Sequence, residues 1–173
     1  MKGLGQWILA LTLTMTVCVA QDLVSIIHGT VKKVDKSTEA VVVKTADGIE
    51  HTIQVADQAT ARGTKEGFDG LKEGSEVVAR YRAKGTEKTA DEIAKIGKDG
   101  VKVTKVTVTQ IEKGVKTVSV KSADGTEKTF EYTEDAAKDV GKETRKGVEK
   151  GATVSVYYTE EVGKKIAHFF AGA

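Results

Sequence analysis

Few side chains in this chain could do chemistry, and their spacing works against them. The three histidines, His28, His51 and His168, lie on separate segments. No two have the H-x-x-x-H spacing that sets a pair of imidazoles on one helix face for a metal ion. The one cysteine is Cys18, and both methionines, Met1 and Met15, share its N-terminal stretch. Ser25, Ser37, Ser75, Ser119, Ser122 and Ser155 lie outside any G-x-S-x-G elbow, so no nucleophile is singled out. With 25 acidic residues, carboxylate pairs are always on offer, but only Asp47 and Asp124 occupy matching prominent positions, each followed by glycine. Asp-Gly is turn chemistry before it is acid–base chemistry. The residues therefore designate no catalytic, cofactor-binding or metal-ligating set, and the chain is expected to be neither an enzyme nor a cofactor carrier.

The elements that position these residues are written twice. Val43–Val55 reads VKTADGIEHTIQV and Val120–Tyr132 reads VKSADGTEKTFEY, an offset of 77 residues. The offset holds without a gap from Thr30–Arg82 onto Thr107–Thr159, with roughly a third of positions identical. A fixed period is the mark of one folding unit repeated, so each candidate can be tested against its counterpart. The histidines fail: His28 and His51 face Lys105 and Lys128, and His168 faces Lys95 after a four-residue deletion in the second copy.

Each copy reads as strands. Thr30–Asp35 has Val31 and Val34 spaced as though a bulge or bend intervenes, and Ala40–Lys44 is β-branched with Val41 and Val43 inward. Ala46-Asp47-Gly48 supplies a hairpin turn, after which Ile49, His51, Ile53 and Val55 alternate inward. In the second copy Thr117–Lys121, Asp124-Gly125 and Thr126–Tyr132 repeat this pattern, with Phe130 and Tyr132 inward. Asp135–Lys150 then reads as a weakly amphipathic helix, with Asp135 as N-cap and Gly151 as stop. Its counterpart, Asp57–Gly74, carries Gly63, Gly67 and Gly70, each costing up to about 1 kcal/mol in a helix interior. That first helix is expected to be shorter, broken or mobile. A fourth strand points Val77, Ala79 and Tyr81 inward, matched by Val154, Val156 and Tyr158, and a fifth spans Glu92–Ile96, matched by Lys165–Phe169.

Five strands in about 75 residues imply a small closed barrel, because closure removes exposed edges. The order, with G-T-V-x-x-V-D at Gly29–Asp35, the Asp47-Gly48 turn and L-K-x-G-x-x-V at Leu71–Val77, resembles small secreted bacterial domains with an OB-like barrel. The second copy departs from it at Val106 and Glu149. The resemblance implies a mainly β chain: two tandem five-stranded OB-like barrels, each with a short helix between its third and fourth strands. SH3-like barrels are the runner-up. The division expected is a signal peptide at 1–20, a first repeat at 21–97 and a second at 98–173. Some periplasmic domains of this kind carry copper through methionine, histidine and aromatic side chains, since thioethers select Cu(I). Beyond Ala20 this chain has no methionine and no tryptophan, so the resemblance implies no such site here.

The N-terminus reads as an export signal, with Lys2, a mostly apolar run Trp7–Ala20 and a cut after Ala20. Val17 before Cys18 argues against lipidation, and no spanning segment is expected after cleavage. Export places the protein in the periplasm or outside the cell. The whole chain has 27 Lys and Arg against 25 Asp and Glu, a net charge of +2 without a basic stripe. Nucleic-acid binders carry a strong positive field and aromatic platforms, whereas the outward positions Val42, Lys44, Glu50, Thr52 and Gln54 offer no aromatic ring. Tyr157 falls in the outward register, and Phe169 with Phe170 cannot both face one core in a regular strand, so either that strand bends or one ring meets the other repeat; packing between the barrels is the first expectation and a partner or oligomer contact the second. The function this implies is a non-enzymatic envelope module, a monomer or weak oligomer, that binds an envelope protein or glycan through a rigid barrel surface. The alternative is an envelope enzyme or metal-binding protein with its site at the junction of the repeats.

Overall fold

The computed structural model describes residues 24–140 and 148–172. The export signal expected at 1–20 and the middle of the helix expected at 135–150 lie outside them. Among the described residues, ten strands close into two barrels. The first comprises β1 (Val24–Asp35), β2 (Ala40–Lys44), β3 (Glu50–Arg62), β4 (Glu76–Lys84) and β5 (Glu87–Lys95), in the cyclic order β1-β2-β3-β5-β4. The second comprises β6 (Lys102–Glu112), β7 (Thr117–Lys121), β8 (Glu127–Tyr132), β9 (Thr153–Glu161) and β10 (Lys164–Gly172), and β6-β7-β8-β10-β9 closes in the same order. In each, one parallel pairing seals the circle: β3 with β5, and β8 with β10.

Local chemistry accounts for the turns. Gly48 and Gly125 take φ of 86° and 85° in the two Asp-Gly hairpins, and the carboxylates of Asp47 and Asp124 accept the amides of Ile49 and Thr126. Both aspartates sit below the usual carboxylate range. For Asp47 the Thr45 hydroxyl is the main cause, and for Asp124 the Thr126 amide. The bulge expected in β1 falls between Val31 and Lys33. Val31, Val41, Val43, Ile53, Val77, Ala79 and Ile93 fill the first barrel. Val108, Val118, Val120, Phe130, Val154, Val156 and Phe170 fill the second.

Several expectations are corrected. Ile49 is 55% exposed, because it closes the hairpin turn through its carbonyl rather than joining the ladder, which begins at Glu50. The segment from Asp57 does not start a helix: Asp57–Arg62 extends β3, and Thr60–Arg62 pairs with Glu92–Ala94. The glycines then leave only a 3-10 turn at Gly67–Gly70. In the second barrel α1 (Glu134–Asp139) is capped by Thr133, whose hydroxyl accepts the Ala136 amide, two residues before the expected Asp135 cap. Asp135 instead pairs with Lys138 at 2.7 Å.

Candidate functional site: the junction of the barrels

Polar chemistry concentrates where the two barrels meet. On β4, Val77 and Ala79 face the first barrel's interior, so Val78 and Arg80 face the other way. In a lone barrel that register would be solvated; here Val78 and Arg80 are fully buried. Arg80 stands opposite Glu92 on β5, just before a register shift in which Asp91 is the extra residue and Ala90 returns to the core side opposite Tyr81. The Arg80 guanidinium donates through Nη1 to Glu92, through Nε to Asp139 Oδ1 at 2.9 Å, and through Nη2 to Asp139 Oδ2 and the His168 carbonyl, both at 2.7 Å. Glu92 also accepts from Arg62 Nε at 2.6 Å, and Asp139 from the Phe170 amide at 3.0 Å. Two guanidiniums thus face two carboxylates, with Asp139, His168 and Phe170 supplied by the second barrel.

The bidentate fork between Arg80 and Asp139 is the strong geometry for such a pair. Burial acts to lower the Arg80 pKa, but the hydrogen bonds and charges of Asp139 and Glu92 outweigh it and hold it above its ordinary value. Burial pushes Asp139 up, against the pull of Arg80 and of the Phe170 amide. An apolar seam surrounds the ions: Val78 and Ala94 from the first barrel meet Val101, Tyr157 and Phe169. The Arg80 guanidinium lies 4.7 Å from the Phe169 ring centre, and Tyr157 meets His28 edge-on at 5.7 Å. Burial, with Glu76 adding a smaller push, drives the Tyr157 hydroxyl up to about 12.

A bulge explains Phe169 and Phe170. Ala167 pairs with Tyr158 and Phe169 with Tyr157, so His168 is the extra residue in β10. The bulge sends Phe170 into the second barrel's core and Phe169 into the seam. The strand both bends and meets the other barrel.

The three histidines stay apart. His28 Nε2 lies 2.7 Å from Glu76 Oε1 on the surface. His51 Nδ1 lies 2.6 Å from Lys88 Nζ, and burial, then the Lys88 charge, lowers its pKa. His168 is buried at the junction with Nε2 at 2.9 Å from the Thr159 hydroxyl and Nδ1 without a partner. Burial, reinforced by Arg62 and Arg80, drives it down to about 4. Among the described residues no group of three or more His, Cys, Asp or Glu is placed to hold a metal ion. No helix among them is long and apolar enough to cross a membrane. Open clefts of about 320 and 350 Å³ lie on the first barrel and one of about 430 Å³ on the second.

Sequence reasoning singled out Tyr157, Phe169 and Phe170 but missed Arg80, Glu92 and Asp139. The signal was in the repeat itself. At the offset of 77, Arg80 corresponds to Tyr157 and Arg62 to Asp139, so the copies diverge in charge at positions that turn toward each other.

The fold and the junction together define a two-barrel β protein closed at its centre by a buried ionic cluster. No protein-family model and no curated protein matches the chain. Among solved structures it is similar to CusF. Silver-bound CusF aligns at 16% identity and a TM-score of 0.33, over 40% of this chain and 93% of that one. Apo-CusF residues 6–88 from Escherichia coli aligns at 19% identity and a TM-score of 0.36, over 45% and 93%. The likeness is to part of this chain, and the silver ion is CusF's own.

Proposed function

We propose that this chain is a non-enzymatic module of the bacterial envelope, exported and cut after Ala20, whose two barrels form one rigid body that binds a partner or glycan on its outer surface. One observation carries the reading: the three central ionisable groups of the junction, Arg80, Glu92 and Asp139, are engaged with one another and shut away from solvent. Arg80, Glu92 and Asp139 are at most 1% exposed, so no substrate reaches them without parting the barrels. Such a cluster fixes geometry, and a fixed pair of barrels presents a broader, better-defined surface than two on a tether, with less ordering entropy to lose on binding. The mixed charge of the chain supports a solvated surface, and with no cysteine after Ala20 the exported module would be held by its cores and junction rather than by disulfides.

The test is affinity capture from an envelope fraction, followed by titration of the captured component back onto the purified chain. Saturable, stoichiometric binding with no chemical change in the component supports the reading. Turnover of that component, or a stoichiometric sub-micromolar copper or zinc site by calorimetry, overturns it.

A further inference from the structure

On the first barrel the loop after β3 and the turn after β5 press together around the cleft of about 320 Å³. Glycine is required in this wall. Gly63 has a φ of 73°, and a Cβ there would come within 2.6 Å of Gly100 Cα; a Cβ on Gly70 would meet Thr64 Cβ at 2.8 Å. A Cβ on Gly100 would fall inside the Lys95 carbonyl oxygen. The cleft is therefore shaped by backbone approach rather than by adjustable side chains.

Lys65, Lys72 and Lys95 line it, and none of the three has a side-chain hydrogen bond or ion pair. Other surface lysines do find partners, as Lys102 does in Glu160 and Lys116 in Glu134. The amides of Thr64, Lys65 and Glu66 donate to no backbone carbonyl in the loop. Glu66 and Asp99 also line the cleft, leaving a formal excess of one positive charge. That balance suits one monoanionic group rather than a polyanion. The second barrel lacks the arrangement: Lys72 corresponds to Glu149, Ser75 to Ala152, and Lys95 to His168, which is buried in the junction.

We infer that this cleft on the first barrel binds a monoanionic oxyanion, a carboxylate or a phosphodiester, held by Lys65, Lys72 and Lys95 together with free loop amides. The inference rests on the binding-module reading and gives it a site and a ligand class.

The experiment is an amide chemical-shift titration of the full soluble chain with sodium acetate and, separately, with dimethyl phosphate, using sodium chloride at equal ionic strength as the blank. Saturable shifts confined to residues 63–72 and 95–100 are expected with at least one anion. Saturation by acetate alone identifies a carboxylate ligand, and by dimethyl phosphate alone a phosphodiester. Lys72→Glu, which installs the second barrel's own residue at an exposed position, should weaken binding by about fivefold or more at unchanged melting temperature. Lys65→Ser serves as a second exposed variant with the same expectation. Shifts no larger than the chloride blank, shifts spread over lysines elsewhere, or affinity unchanged in both variants would overturn the inference. Any of these leaves the wider reading standing, since that fails separately, on turnover or a tight metal site.

Discussion

Cutting the ionic cluster from one side should cost far more than removing its central pair together. Asp139→Leu leaves the Arg80 guanidinium, fully buried, with Glu92 as its carboxylate, and Glu92 is already shared with Arg62. The buried Arg80 and the partly exposed Arg62 then share one carboxylate, and the Phe170 amide loses an acceptor held at 3.0 Å. Breaking a buried pair in this way costs about 3–5 kcal/mol. At about 2–4 °C per kcal/mol for a chain of this size, the melting temperature falls by about 6–20 °C. Arg80→Met should cost a similar amount, because Asp139 loses the guanidinium that binds both its oxygens. The double variant removes both charges, keeps Glu92 with Arg62 at 2.6 Å and places apolar side chains beside Phe169. It should be more stable than either single variant, since apolar replacement of a whole buried pair is often neutral or better. Urea unfolding followed by far-ultraviolet circular dichroism measures all four proteins. Single variants within about 1 kcal/mol of the parent, or a double variant whose loss equals the sum of the two, would refute the reasoning.

Three further outcomes can be checked by melting experiments. His168 has its folded pKa depressed from 6.5 to about 4, so the unfolded chain binds the extra proton first as pH falls; stability should drop between those values by up to about 3 kcal/mol, less after solvent screening, and His168→Asn should flatten that slope. Val162 is fully exposed with a φ of 46° in the β9–β10 turn, a β-branched residue in the left-handed region; Val162→Asn should therefore raise stability by about 1 kcal/mol, and no gain in melting temperature would contradict this. Gly100→Ala drives a methyl into the Lys95 carbonyl and should cost about 1–3 kcal/mol, whereas an unchanged melting curve would show that the junction turn yields.

What was legible in the sequence followed from local rules. Alternation placed Val41, Val43 and Ile53 inward, and Asp-Gly located both hairpins, because side-chain period and turn chemistry are properties of a few adjacent residues. β3 ran on past Val55 because its partner, Glu92–Ala94, lies some thirty residues away, and pairing at that distance overrode the weak helical texture of Asp57–Gly74. The junction was hidden for a related reason. Arg80 occupies a register that would face water in a single barrel, so its burial depends on a second barrel standing against it. His168 separates Phe169 from Phe170 through a bulge that exists only in the β9–β10 register. The loop glycines Gly63 and Gly70 were visible as helix breakers, but their role in walling a cleft with Gly100 requires the two loops to be brought together.

The central claim is that the barrels move as one body about the Arg80–Asp139 cluster and the Tyr157–Phe169 seam. Residual dipolar couplings of the chain's backbone amides test it most directly. One alignment tensor should fit the couplings of residues 24–96 and 102–172 together, and Asp139→Leu should split it into two. Separate tensors for the two barrels in the parent protein would contradict the account.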